Sequence, residues 1–284
     1  MTLGFINAGF DIVASYECWD AAIKCHKMNF DHPVIDLDLS DVQEAVKSIR
    51  TYSPDIIIGG PPCQDFSHAG KRVESDRAIL TNCFAEIVCE IAPSYFVMEN
   101  VARSIKSNAY AEARALFKKA GYGLTERVLD ASFCGVPQRR KRSICIGHMG
   151  AEESFMDDIL NEGMSESHMT VRDYFGDDLG VEYYYRHPRT YSRRGIFSVD
   201  EPAPTIRGVN RSVSKNYVVH KGDATSDLSK VRALSTEERA RIQTFPKDFK
   251  WVGSKATCEQ MIGNAVPVKL AEFVGDAVSK HASS

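Results

Sequence analysis

The sequence predicts an α/β protein built on a doubly wound, mostly parallel sheet of the Rossmann-like kind, with a smaller irregular domain inserted in its C-terminal half. Three observations carry that expectation. Short apolar runs rich in β-branched residues, among them Ile56-Ile57-Ile58 and Tyr95-Phe96-Val97-Met98, alternate with segments whose apolar residues recur at helical spacing. The apolar runs end in residues able to do chemistry, which is where open parallel sheets place ligands. After Gly147 the alternation stops and the charge pattern changes.

In chain order, Leu3 to Ala8 reads as a helix terminated by Gly9, and Phe10 to Tyr16 as a strand closing at Glu17. A carboxylate at that position suits ribose hydroxyls. Trp19 to Met28 is expected to be helical and Val34-Ile35 a strand followed by Asp38. Ser40 then caps a helix over 41 to 49. The next stretch, Asp55-Ile-Ile-Ile-Gly-Gly-Pro-Pro-Cys-Gln-Asp-Phe-Ser67, joins a buried strand to a loop stiffened by Pro61 and Pro62. Cys63 is thereby presented at the sheet's carboxyl edge, where a cysteine has little packing value.

Ile79 to Ile91 is predicted helical, and the following strand closes at Glu99 and Asn100. Two reactive residues, Cys63 and Glu99, thus stand at neighbouring strand ends. Ala109 to Ala120 reads as a helix capped by Gly121, with strands at Leu124 to Leu129 and Ser143 to Ile146. Between those strands, the alternation of arginines in Gly135-Val-Pro-Gln-Arg-Arg-Lys-Arg142 turns at least one guanidinium over the sheet edge.

The formal net charge is -3, which argues against a uniformly basic nucleic-acid binder but not against a local one. From Gly150 to Glu182 only Arg172 opposes a run of acids, whereas Tyr183 to Lys221 carries Arg186, Arg189, Arg193, Arg194, Arg207 and Arg211 amid tyrosines. That is the footprint of a phosphate-binding module. Residues 150 to 232 are accordingly expected to form the smaller domain and 233 to 261 a hinge. Residues 1 to 149 and 262 to 284 would form the catalytic domain. Ser235 and Glu238 form a capping-box pattern. The eight cysteines include no C-x-x-C pair, so neither a zinc site nor a disulfide framework is expected. With no run of 18 apolar residues and no signal-like leader, a cytoplasmic location is expected.

GGPPCQDFS, FVMENV, GVPQRRKR, RALSTEERARIQTFPKDF and IGNAVP, in that order, resemble the signature blocks of the DNA cytosine-5 methyltransferases of the bacterial and phage restriction-modification type. The resemblance implies methyl transfer from S-adenosylmethionine to C5 of a cytosine flipped out of double-stranded DNA. Cys63 matches the nucleophile that adds at C6, and Glu99 the carboxylate that binds N3 and the exocyclic amine. Arg142 matches the guanidinium that holds O2, and Arg140 its companion. Glu17 matches the ribose acid and Asp38 the adenine acid, flanked by Cys18 and Leu39, while Pro61, Leu80, Asn264, Ala265 and Val266 match positions around the methionine end. Gln64 and Ser67 fall beside the nucleophile as DNA contacts, and the span 67 to 81 matches a closing loop. The segment 150 to 232 corresponds to the target-recognition region. There Arg193 and Arg194 are expected on phosphates, and Thr205, Arg207 and Arg211 near base edges.

The family pattern opens with a strand and a Phe-x-Gly-x-Gly-Gly loop, whereas this sequence opens in the helix that follows, at Leu3-Gly4-Phe5. A gap in the sheet beside Ile56 to Gly59, marginal stability and weak cofactor binding are therefore expected. Alternatives are a DNA-binding relic without chemistry and a relative acting on transfer RNA. A monomer, with a cognate restriction endonuclease as possible partner, completes the expectation.

Overall fold

The computed structural model describes residues 1–62, 79–190 and 192–283. Cys63, Gln64 and Ser67 lie outside them, as does most of the expected closing loop. The N-terminal part runs α1 (Thr2–Asn7), β1 (Ser15–Glu17), α2 (Asp20–Lys27), β2 (Val34–Asp36), α3 (Val42–Arg50), β3 (Ile56–Gly59), α4 (Ile79–Ile91), β4 (Tyr95–Val101), α5 (Asn108–Lys119) and β5 (Tyr122–Asp130). Next come β6 (Gln138–Arg139), β7 (Lys141–Met149), α6 (Asp157–Gly163), α7 (Val171–Phe175), β8 (Tyr183–Tyr185), β9 (Ile196–Ser198) and β10 (Ala203–Pro204). The chain closes with β11 (Val231–Ala233), α8 (Thr236–Ile242), α9 (Lys255–Asn264) and α10 (Val268–Ala282).

The main sheet has the order β3-β4-β7-β5. β3 and β4 are parallel, and β7 runs antiparallel to both of its neighbours, so β4 and β5 share a direction. Successive side chains along a strand face opposite ways, and both faces here are covered. Phe96, Met98 and Cys145 pack with Phe84, Val88, Ala113 and Phe117 of α4 and α5. On the other face, Val97, Ile144 and Ile146 meet Phe5 of α1, Met156, Leu160 of α6, and Leu270 and Val274 of α10. This is the doubly wound layering expected.

β1 and β2 form a separate two-stranded parallel sheet. Among the described residues β3 pairs with β4 alone, so the expected gap beside Ile56 to Gly59 is present. An apolar cluster spans the interruption: Ala45, Val46, Ile49 and Ile87 are buried, with Tyr16, Leu37, Leu39 and Ile57 packed against them.

Some local expectations shift. β1 begins only at Ser15, because Phe10 and Ile12 pack into the helical layer instead of extending the strand. Asp41, not Ser40, caps α3, accepting a hydrogen bond from the Glu44 amide. Packing also divides the chain differently from the expected boundaries at 150 and 232. Met156 and Leu160 join the first core, whereas Leu234, Ala240, Ile242 and Ile262 join Val171, Phe175, Tyr184, Phe197 and Ile206 in the second. The stretch expected as a hinge touches both sides: Leu234, Ala240 and Ile242 join the second core, while Cys258 and Met261 are buried with Cys25 of α2. Two units meet where β6 pairs with β10 in parallel.

Candidate active site and nucleic-acid interface

β3 delivers the chain to Gly59-Gly60-Pro61-Pro62, and β4 brings Glu99 alongside. A methyl group at Gly60 would lie 3.1 Å from Glu99 Oε2, so glycine allows the loop to rest against the carboxylate. Asn100 fixes that approach by donating from Nδ2 to the Pro61 carbonyl at 3.1 Å. In the register of β4 and β7, Arg142 lies opposite Val101 and Glu99 opposite Ile144. A guanidinium can span this diagonal. Arg142 Nε pairs with Glu99 Oε1 at 2.8 Å, with the two side chains only 14% and 11% exposed.

Burial raises the Glu99 carboxyl above its usual range, against the opposing pull of Arg142 and Arg140. The site thus brings together a stiff loop ending one residue before Cys63, a carboxyl with raised proton affinity, and a guanidinium held against it.

Arg140 stands apart from that pair. It is 1% exposed, and its guanidinium donates to the carbonyls of Ile206, Gly263 and Ala265 at 3.0, 2.9 and 2.9 Å. Burial lowers it to about 9, with Arg142 adding repulsion. All of these bonds go to main chain and tie the strand leading to Arg142 to the second unit and to the IGNAVP segment.

Two glutamines that sequence reasoning had not singled out complete the node. Gln138 accepts from the Ile206 amide and donates to Gln243 Oε1, and Gln243 donates to the Ile262 and Ala265 carbonyls. The IGNAVP segment, the second unit and the strand leading to Arg142 are locked together there. An alternating Gln-x-Arg-x-Arg pattern was the available signal, but the partners lie far along the chain.

At the other sheet, Glu17 and Asp38 stand at the carboxyl ends of neighbouring parallel strands. Glu17 Oε1 accepts from the Cys18 and Trp19 amides, both at 2.9 Å. Asp38 Oδ1 accepts from Ser40 N at 2.9 Å, which holds its carboxyl below the ordinary range. Cys18 is exposed, and burial followed by the Glu17 and Asp38 charges raises its thiol, consistent with these groups sharing one neighbourhood. Leu39 is half-buried against the bridging apolar cluster, and Leu80 is half-buried in the first turn of α4. Asn264 is exposed at the end of α9, Ala265 is held by Arg140 and Gln243, and Val266 packs on the first core. Two acids thus stand close together at the ends of β1 and β2, both held by neighbouring main-chain amides.

The basic residues of the second unit separate into distinct roles. Arg194 is not a solvated phosphate contact: it pairs with both oxygens of Glu201 and lies 4.2 Å over the Phe197 ring. Arg193 and Arg211 are exposed. Arg207 is half-buried and donates to the His187 carbonyl. Thr205 donates to the Arg139 carbonyl at 2.8 Å and joins the two units.

A doubly wound sheet with acids on two strand ends, and a buried Glu–Arg pair against Gly60, is the setting in which the comparisons with known proteins fall. Residues 1–280 match the model of the C-5 cytosine-specific DNA methylases, and the chain belongs to that family. It is a DNA cytosine-5 methyltransferase of the restriction-modification type. It is 54% identical over 280 residues to the Type II methyltransferase M.HindV of Haemophilus influenzae, covering 98% of this chain and 92% of that one. Identity to M.HgiDI of Herpetosiphon aurantiacus is 52% over 282 residues, covering 99% and 91%. Among solved structures, the S. pombe Dnmt2 methyltransferase superposes with a TM-score of 0.71 at 17% identity, covering 100% and 95% of the two chains. That likeness concerns the fold.

Proposed function

We propose that this chain methylates C5 of a cytosine turned out of a specific site in double-stranded DNA, with S-adenosylmethionine as donor and Cys63 as a transient covalent nucleophile. The observation that supports it most is the Glu99–Arg142 pair, buried against Gly60 on the loop that leads to Cys63.

Cytosine C5 is a poor nucleophile until a thiolate adds at C6 and pushes electron density into the ring. Cys63 supplies that thiolate, and its C6–S bond breaks again when the C5 proton leaves. Glu99, whose raised proton affinity suits a hydrogen bond to the ring, shares a proton with N3 and accepts from the exocyclic amine. Arg142 keeps Glu99 oriented and offers its remaining donors to O2. A base inside a duplex cannot reach this recess, so the target has to leave the stack.

Glu17 and Asp38 would hold the donor's ribose and adenine, and the main chain at Asn264 to Val266 its methionine end. When bound, the donor supplies an electrophilic methyl for the activated C5. Arg193 is proposed on backbone phosphate, Arg211 on a base edge, and Gln64 and Ser67 beside the extruded base. The remaining partner proposals are a monomeric enzyme acting in the cytoplasm of a bacterial or phage-infected cell and a cognate endonuclease of the same specificity.

The interrupted sheet favours one second reading, DNA binding without efficient transfer, because among the described residues no strand ladder joins the β1-β2 sheet to the sheet that carries Glu99. A duplex carrying 5-fluorocytosine at the target separates the two. Fluorine cannot leave as a proton does, so the enzyme should be trapped covalently when donor is present, and Cys63→Ser should abolish both trapping and methylation while still binding DNA. Tight duplex binding with neither adduct nor methylated product would support the second reading.

A further inference from the structure

The arginines of the smaller unit fall into two groups. Arg172, Arg194 and Arg232 each face carboxylates, namely Asp200 and Glu182, Glu201, and Glu238. Arg186 and Arg207 have no carboxylate within ion-pair distance among the described residues. Their guanidinium groups donate instead to the carbonyls of Thr205 and His187. Arg239 adds a third cation to the same cleft, and its charge is balanced by Glu259 alone.

Burial pushes Arg186 down to about 10, and repulsion from Arg207, Arg189 and Arg239 adds to the effect. Arg207 is lowered for the same reasons. Both Nε atoms are buried without a hydrogen-bond partner. So is the hydroxyl of Tyr184, a side chain 1% exposed that lines the same cleft. Half-buried positive charge without a counter-charge is costly, and unsatisfied donors add to the cost. An anion entering the cleft relieves both.

We propose that this cleft is a phosphate subsite, in which a non-bridging oxygen of one DNA backbone phosphodiester is received between Arg186 and Arg207 with the Tyr184 hydroxyl beside it. The cleft is lined by Tyr184, Arg186, Arg207 and Arg239, so an anionic oxygen entering it meets donors from three arginines. Paired guanidinium groups match phosphate oxygens better than they match a single carbonyl. The contact carries no sequence information and would set the register of the recognition unit on the duplex. It rests on the reading of duplex DNA as substrate.

The test compares wild type with Arg186→Gln and Arg186→Lys, each checked for cooperative unfolding. Duplex affinity is measured against salt, and a single neutral methylphosphonate is then walked along the duplex. For Arg186→Gln the slope of log K against log salt should fall by about 0.9, the value for one lost phosphate contact. The loss should be equal for target and unrelated duplexes, and Arg186→Lys should recover part of it. One methylphosphonate position should weaken wild-type binding and leave Arg186→Gln unaffected.

An unchanged slope, or a methylphosphonate profile identical in wild type and variant, overturns the proposal. Inorganic phosphate alone is the second arm: if it raises the melting temperature of wild type but not of Arg186→Gln while the DNA slope stays the same, the ligand is free phosphate and the DNA assignment falls. Methylation of cytosine at saturating duplex is scored separately, so a failure of the methyltransferase reading appears as absent product with the methylphosphonate profile intact.

Discussion

Glu99 occupies a position where small changes separate shape from proton affinity. Glu99→Gln preserves the side-chain outline against Gly60 but removes the group that can share a proton with the ring. Turnover should fall by at least about a hundredfold, the scale for one preorganised electrostatic group, while duplex affinity changes little. A variant that loses affinity and keeps turnover would place Glu99 in binding alone.

At the scale of elements, the contact between α8 and α9 has a buried ion pair at its centre. Arg239 and Glu259 have side chains 4% and 3% exposed, and Glu259 also accepts from Asn210 Nδ2 and Thr236 Oγ1, each at 2.9 Å. Removing one partner of such a pair strands a charge in the interior, at a cost of about 3 to 5 kcal/mol. Glu259→Leu should therefore lose that much unfolding free energy in urea titration, and a loss below about 1 kcal/mol would contradict the accounting. The helix start beside it was legible in the sequence: Ser235 and Glu238 form the capping box their spacing announced.

Legibility failed where spacing carries no information about distant partners. Met156 and Leu160 belong to the first core, but the acids around them at Glu152, Glu153, Asp157 and Asp158 made the segment read as a new unit. Arg194 reads as a solvated arginine until Glu201 and Phe197 are folded against it. Glu99 and Arg142 were recoverable because both sit at strand ends, where the period-two pattern and the loop sequence fix the direction in which a side chain points. The Gln138–Arg140–Gln243 node was not, since its bonds cross between 19 and 125 residues of chain.

For the molecule as a whole, β3 has a hydrogen-bonded neighbour on one side only among the described residues, so its remaining backbone groups should open to solvent more readily than those of β4 and β7. Amide hydrogen exchange followed residue by residue should be at least about tenfold faster at the unpaired positions of Ile56 to Gly59 than in the β4–β7 ladder. Equal protection throughout would mean that something else covers that edge.

In the reaction proposed above, with the donor on Glu17 and Asp38 and the base on Glu99 and Arg142, the same interruption would govern how donor and acceptor are aligned. Glu17 and Asp38 ride on the two-stranded sheet, whereas Glu99 and Arg142 ride on the four-stranded one. What spans the two is oily contact, Ala45, Val46 and Ile49 of α3 against Ile87 of α4, with Ile57 and Leu39 at its edges, and at its rim one hydrogen bond from the Arg50 guanidinium to the Glu90 carbonyl at 2.8 Å. Apolar contact is non-directional, unlike a ladder of hydrogen bonds. A methyl group passing from one platform to the other crosses a joint whose slack is set by these side chains. A misplacement of about 1 Å in such a transfer can cost on the order of a hundredfold in rate. The alignment tolerance of the enzyme is thus written in the packing of α3 on α4, well away from any atom that reacts.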